Sequence, residues 1–200
     1  MKKWIGNLLI LTGAALLIWL WSGSNQVQKN QDQLIEAFAA VKDSGETGEL
    51  RIVSDDESVK GKAKSTLPSN IEGVLSIPSI QLKSPVIAGA SGENLNQSLA
   101  SISGMDKPGV LNGSYAIAGH QSHVFGEFFN RLNELQVGEH FSYETMTETL
   151  TFEVFDIQIV KPSEVDSLNS QKGMALLSLI TCYPERSNKY RLIVHSKRID

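Results

Sequence analysis

From Ile71 onward the chain keeps switching between short apolar runs and turn residues, and that rhythm leaves little room for anything but a β fold. "EGVLSIPSIQLKSPVI" alternates around Ile77-Pro78 and reads as two short strands with prolines at their edges. "GSYAIAGH" reads as a short buried strand that stops on Gly119-His120. Further strands are predicted at "HFSYET", "ETLTFEVFDIQIV", "ALLSLITC" and "KYRLIVHS". Helical signals are minor: a turn or two in "ENLNQSLASI", and a short helix in "FGEFFNRLNEL" ahead of the turn "QVGE". About seven or eight strands with only short helices over residues 71–200 predict an all-β domain, a closed or nearly closed barrel.

Ahead of that domain, no charged residue follows Met1-Lys2-Lys3 until Lys29, and Trp4 to Trp21 is almost wholly apolar. At about 1.5 Å per residue the run makes a helix of about 27 Å, enough for a bilayer core of roughly 30 Å once Ser22 and Gly23 are included. Lys2 and Lys3 favour a cytoplasmic N-terminus, and Trp4, Trp19 and Trp21 fall where interfacial aromatics sit. A cleaved signal peptide would end in a small-x-small site, but "LIWLWSGSN" has tryptophans there. Residues 1–23 are therefore expected to be an uncleaved, single-pass signal anchor, with the rest of the chain outside the cell membrane. Residues 24–70 read as a stalk. Within it Leu34, Ile35, Phe38 and Val41 recur at helical spacing, and the polar stretch "SGETGELRIVSDDESVKGKAKSTLPSN" reads as a linker. A net charge of −4 gives no basic patch for nucleic acid, and no CxxC or HExxH spacing offers a metal site. No cofactor is expected.

The chemistry points to Cys182, the single cysteine of the chain. It cannot form an internal disulfide, so it is either a reactive thiol, half of a bridge to another molecule, or a buried inert one. It ends "ALLSLIT", whose length and apolar content suit a central strand, a rigid mounting for a nucleophile. A thiolate needs a nearby imidazole or guanidinium. Of His120, His123, His140 and His195, His120 is best placed, since it ends a buried strand behind a glycine. His123 lies in the polar loop that follows, and His140 and His195 read as surface residues. "YPERSNKY" joins Cys182 to Arg191, and if the two flanking runs pair antiparallel, Arg191 returns beside the thiol. There a guanidinium can stabilise a thiolate or an oxyanion, or hold a peptide carbonyl. Arg186, inside the loop, is the rival. The plain alternative for Arg191 is a pair with a surface acid.

Three separated motifs, "YAIAGH", "SLITC" and "YRLIV", resemble in content and order those of the sortases, membrane-anchored cysteine transpeptidases of Gram-positive bacteria. The resemblance runs from about Glu72 to Ile199. The family's TLxTC motif stands here as Leu179-Ile180-Thr181-Cys182, with Ser178 where threonine is usual. The resemblance implies a sortase β-barrel with Cys182 as nucleophile, His120 as general acid/base and Arg191 positioning substrate and stabilising the oxyanion. Thr181 would lend a hydroxyl or backbone amide to substrate beside the nucleophile. It further implies cleavage of an LPxTG-type sorting signal between Thr and Gly through a thioacyl-enzyme, which an amine of a peptidoglycan precursor resolves. Surface proteins bearing that signal are the implied partners. The loop before the histidine strand offers only Asp106 where some class A members bind calcium, so no calcium dependence is expected. "TCYP" leans towards class D and "GHQSHVFGEFFNRLNEL" is at least as close to class A. Two other readings are a peptidase in which water resolves the same acyl-enzyme, and a membrane-tethered, non-catalytic binding barrel with an inert core cysteine.

Overall fold

The computed structural model describes residues 12–13, 29–43, 70–121 and 128–200. Among them eight strands close into a barrel: β1 (Ile71–Ile77), β2 (Leu82–Ile87), β3 (Leu99–Ser101), β4 (Ser114–Ala118), β5 (His140–Glu144), β6 (Thr149–Val160), β7 (Leu176–Tyr183) and β8 (Tyr190–Arg198). Their order around the ring is β1-β2-β3-β4-β7-β8-β6-β5, and β1 pairs with β5 to close it. The β2–β3 and β4–β7 pairs are parallel and the other six antiparallel. The predicted all-β barrel is thus closed and eight-stranded. Its first two strands are separated by a 3-10 turn at Pro78–Ile80, where proline's fixed φ suits a first helical position.

The position of β7 explains its composition. It lies between β4 and β8, so both of its edges are paired, and both of its faces are buried, one in the barrel core and one beneath outer side chains. Leu177 and Leu179 point inward to a core with Leu75, Ile117, Phe129, Phe152 and Val194. Ile180 points outward against Ala116 and Ile193, beneath Ile102, Met105, Val160 and Leu168. A strand buried on both sides reads as an unbroken apolar run, not an alternating one. Each such side chain contributes about 1.5–3 kcal/mol through its burial.

Near the start of β4 the buried Tyr115 hydroxyl donates to Glu72 Oε2 at 2.7 Å and lies 3.1 Å from the Tyr143 hydroxyl. Burial pushes both phenols above the ordinary tyrosine range, and the neighbouring Glu72 carboxylate adds to the effect.

Residues 29–43 form helix α1, as the apolar spacing predicts. Gln31, Leu34 and Phe38, one helical face, are buried. Lys42 Nζ meets Glu144 Oε1 at 2.6 Å, which joins this helix to the end of β5. The short helix α2 (Gly92–Leu95) is capped by the Ser91 hydroxyl, which accepts from the Asn94 N–H.

The helix expected in "FGEFFNRLNEL" is not what its described part forms. Gln121 and Phe128 make an isolated bridge, and a 3-10 turn spans Leu132–Glu134. Phe128, Phe129, Leu132 and Leu135 are all in the barrel core. Burying them from one short segment takes a sharp bend, marked by the positive φ of 50° at Phe128. The anchor expected at residues 1–23 lies, apart from 12–13, outside the described residues, as does the linker at 44–69. Among the described residues no helix is long and apolar enough to cross a membrane.

Candidate active site

Strands β4, β7 and β8 are neighbours, and their ends bring the three expected site residues together. In the β7–β8 register Cys182 faces Arg191 directly, and Cβ atoms of such a pair lie about 5 Å apart. The antiparallel return inferred from "YPERSNKY" is therefore the geometry adopted. Cys182 follows Ile180 by two positions and shares its outward side, and Arg191 likewise shares the side of Ile193. Cys182 is half-buried and is in no disulfide.

The Arg191 guanidinium is steadied through Nη1, which donates to the carbonyl oxygens of Tyr190 at 3.0 Å and Asn188 at 3.2 Å. No carboxylate pairs with it among the described residues. Arg186, the rival, is three-quarters exposed with its neighbour Glu185 at 3.7 Å, and it sits in the loop at φ 62°. A cis peptide joins Tyr183 to Pro184 immediately after the thiol strand.

His120 comes from β4. Register pairs Ala118 with Ile180, and the Gly119 N–H donates to the Ile180 carbonyl at 3.0 Å, which carries the chain one step beyond the strand. His120 itself is exposed, its carbonyl accepts from the Phe129 N–H at 3.0 Å, and its ring stands edge-on to Phe128 with centroids 6.5 Å apart. Gly119 is required here, because a Cβ would lie 2.5 Å from Leu99 Cδ2 and 2.7 Å from Phe129 Cδ2. Thr181 is buried, and its hydroxyl donates to the Gly119 carbonyl at 2.9 Å.

The other histidines separate clearly. His123 lies outside the described residues. His140 is exposed at the start of β5, as expected. His195 is not the surface residue that its sequence position suggests. It is 4% exposed, and its Nδ1 lies 3.0 Å from the hydroxyl of Ser178, itself 1% exposed. Its ring is tilted against Phe155 with centroids 6.2 Å apart. Burial lowers the His195 pKa, and Asp156, paired with it across β6–β8, opposes that shift. In "LIVHS" the residue is out of phase with the inward Leu192 and Val194, so alternation correctly assigns it outward. What sequence does not reveal is that the outer face is covered there. Asp106, the single acid of the β3–β4 loop, is engaged locally, its Oδ2 accepting from the Ser114 N–H at 3.0 Å.

A closed eight-stranded barrel with a half-buried cysteine, an arginine opposite it and a histidine at the adjoining strand end defines a cysteine-enzyme scaffold. The model of the sortase domain matches residues 75–199, and the chain belongs to the sortase family. It is accordingly a cysteine transpeptidase. Among curated relatives it is 29% identical to sortase A of Staphylococcus aureus, with 91% of this chain and 89% of that one covered. It is 25% identical to sortase A of Streptococcus agalactiae, over 95% of this chain and 81% of the relative. Among solved structures it is similar to a pilus-related sortase C of Group B Streptococcus (TM-score 0.63, 27% identity, 86% of this chain and 91% of that one). Sortase C1 from Streptococcus suis matches with a TM-score of 0.63 at 28% identity, over 66% of this chain and 74% of that one.

Proposed function

We propose that Cys182 is the nucleophile, His120 the general acid/base and Arg191 the group that holds the substrate carbonyl and its oxyanion. The observation that carries this reading is the juxtaposition of Cys182 and Arg191 across β7–β8, with the segment leading to His120 bonded to the same end of β7. The substrate is an LPxTG-type sorting signal on a surface protein. Sulfur adds to the threonine carbonyl carbon, and the Arg191 guanidinium stabilises the oxyanion that forms. The C–N bond to glycine then breaks, and the leaving amine takes a proton from the His120 imidazolium. The thioester is resolved by an amine of a peptidoglycan precursor, which gives up a proton to His120, forms the new amide and returns Cys182.

The chain organisation we propose is an anchor at 1–23, a stalk at 24–70 and the catalytic barrel at 71–200, tethered in the cell membrane with the barrel outside. The enzyme is class A- or class D-like.

The test uses the full chain in detergent, mixed with LPxTG-type peptides and candidate amines and followed by mass spectrometry. A covalent adduct on Cys182 that passes to an amine, and is absent in Cys182→Ala, is expected. An adduct resolved by water whatever amine is supplied overturns the transfer step in favour of a peptidase. A folded protein that forms no adduct overturns the substrate assignment.

A further inference from the structure

Thr181 stands next to Cys182 in sequence yet faces the opposite way. It shares the inward side of β7 with Leu177 and Leu179, is 2% exposed, and gives its hydroxyl proton to the Gly119 carbonyl at 2.9 Å. Cys182 and Arg191 lie on the outer side. A hydroxyl has one proton to donate, and this one is committed inside the barrel wall, away from the thiol. Its partner is the peptide oxygen directly before His120.

That peptide is fixed from several directions. The Gly119 N–H is bonded to Ile180, the His120 carbonyl to the Phe129 N–H, and the Gly119 α-carbon is pressed between Leu99 and Phe129. Backbone bonds and packing would hold the segment close to β7 with many residues at position 181. The Thr181 hydroxyl adds a fixed length between the strand that carries the thiol and the carbonyl of the residue before the imidazole. Among the described residues it is the side-chain hydrogen bond that links the two strand ends.

We propose that Thr181 is a positioning residue: it sets His120 relative to Cys182 through Gly119 and does not bind substrate. This inference rests on His120 and Cys182 being the acid/base and the nucleophile. Proton transfer by a positioned group is worth about 10²–10⁴-fold, and a misplacement near 1 Å loses about 10²-fold. Removal of the hydroxyl therefore lowers kcat while substrate contacts stay intact.

The full chain in detergent is compared with Thr181→Val and Thr181→Ser, using an internally quenched LPxTG-type peptide. Thr181→Val is expected to lower kcat about 10- to 100-fold with KM within about twofold. Thr181→Ser keeps the donor and is expected to stay within about threefold of the native enzyme. The pH profile of Cys182 alkylation by iodoacetamide, which needs no substrate, should shift in Thr181→Val and not in Thr181→Ser. A purely structural role would lower the melting temperature without moving that profile. If Thr181→Val does not fold, Thr181→Ala carries the same comparison. A raised KM with unchanged kcat would return Thr181 to substrate binding and overturn the inference, as would an unchanged kcat and alkylation profile. Cys182→Ala and His120→Ala run in parallel separate the two levels. If either keeps full activity, the site assignment itself fails; if both are inactive and Thr181→Val is not impaired, this inference alone fails.

Discussion

Gly119→Ala is the substitution for which the barrel makes the sharpest demand. The backbone at Gly119 lies outside the left-handed region, so alanine is admissible there as a conformation and the penalty comes from contact alone. A methyl at this position would sit 2.5 Å from Leu99 Cδ2 and 2.7 Å from Phe129 Cδ2, where ordinary contact begins at 3.4 Å. Leu99 and Phe129 are fully buried core residues, so neither can swing into solvent. Either they or the Gly119 backbone must move by roughly 1 Å, and overpacking of this kind costs about 1–3 kcal/mol. For a domain of this size that lowers the melting temperature by about 3–15 °C. If the backbone gives way, His120 moves with it, and turnover falls about 10²-fold. Gly92→Ala is the control, since nothing lies within 4 Å of a Cβ there. Circular dichroism melts and peptide-cleavage kinetics on both variants provide the comparison. An unchanged melting temperature and turnover in Gly119→Ala would refute the close-packing argument. A folded variant that melts early yet turns over normally would show that this packing does not place His120.

Arg191→Ala is expected to lower kcat about 10²–10³-fold, and Arg191→Lys to restore little because a point charge does not reproduce the guanidinium fork; steady-state kinetics decide, and full activity in Arg191→Ala would remove it from the site. His195 is held neutral by burial, so its folded-state pKa lies below the unfolded value of about 6.5. Its contribution to stability is complete above that value and is lost as pH falls through it towards the folded pKa. Urea midpoints from pH 8 to pH 5 should therefore fall more steeply for the native protein than for His195→Gln. Lys42→Ala breaks the Lys42–Glu144 pair, whose side chains are 29% and 40% exposed, and is expected to cost at most about 1 kcal/mol by urea denaturation; a larger loss would mean that α1 is part of the barrel's cooperative unit.

Most of the barrel was legible from alternation and turn residues, because a strand's two-residue period is written directly in "HFSYET" and "TLTFEVFD". The return of Arg191 to Cys182 was legible too, since a short loop between two pairing runs fixes which residues meet. What failed did so where long-range burial overrode a local signal. "FGEFFNRLNEL" has a helix's spacing, but four of its apolar side chains are drawn into the core, and the described part bends instead of coiling. His195 was assigned to the correct face and the wrong environment, because coverage of that face comes from segments distant in sequence. The Thr181 bond to Gly119 was equally hidden: a strand threonine is ordinarily a β former, and nothing local names the carbonyl it will meet.

The location of β7 between β4 and β8 also bears on when the thiol becomes an enzyme. Cys182 and Arg191 are close in sequence, but His120 arrives on β4, from a much earlier part of the chain, and through a parallel pairing that no hairpin can make. Contacts of such separation form late, after loop-closure entropy has been overcome. The nascent chain can form the β7–β8 hairpin and set Cys182 beside Arg191, yet the proposed acid/base, His120, reaches that strand end only when β4 docks. On the proposed roles, reactivity is thereby coupled to completion of the ring.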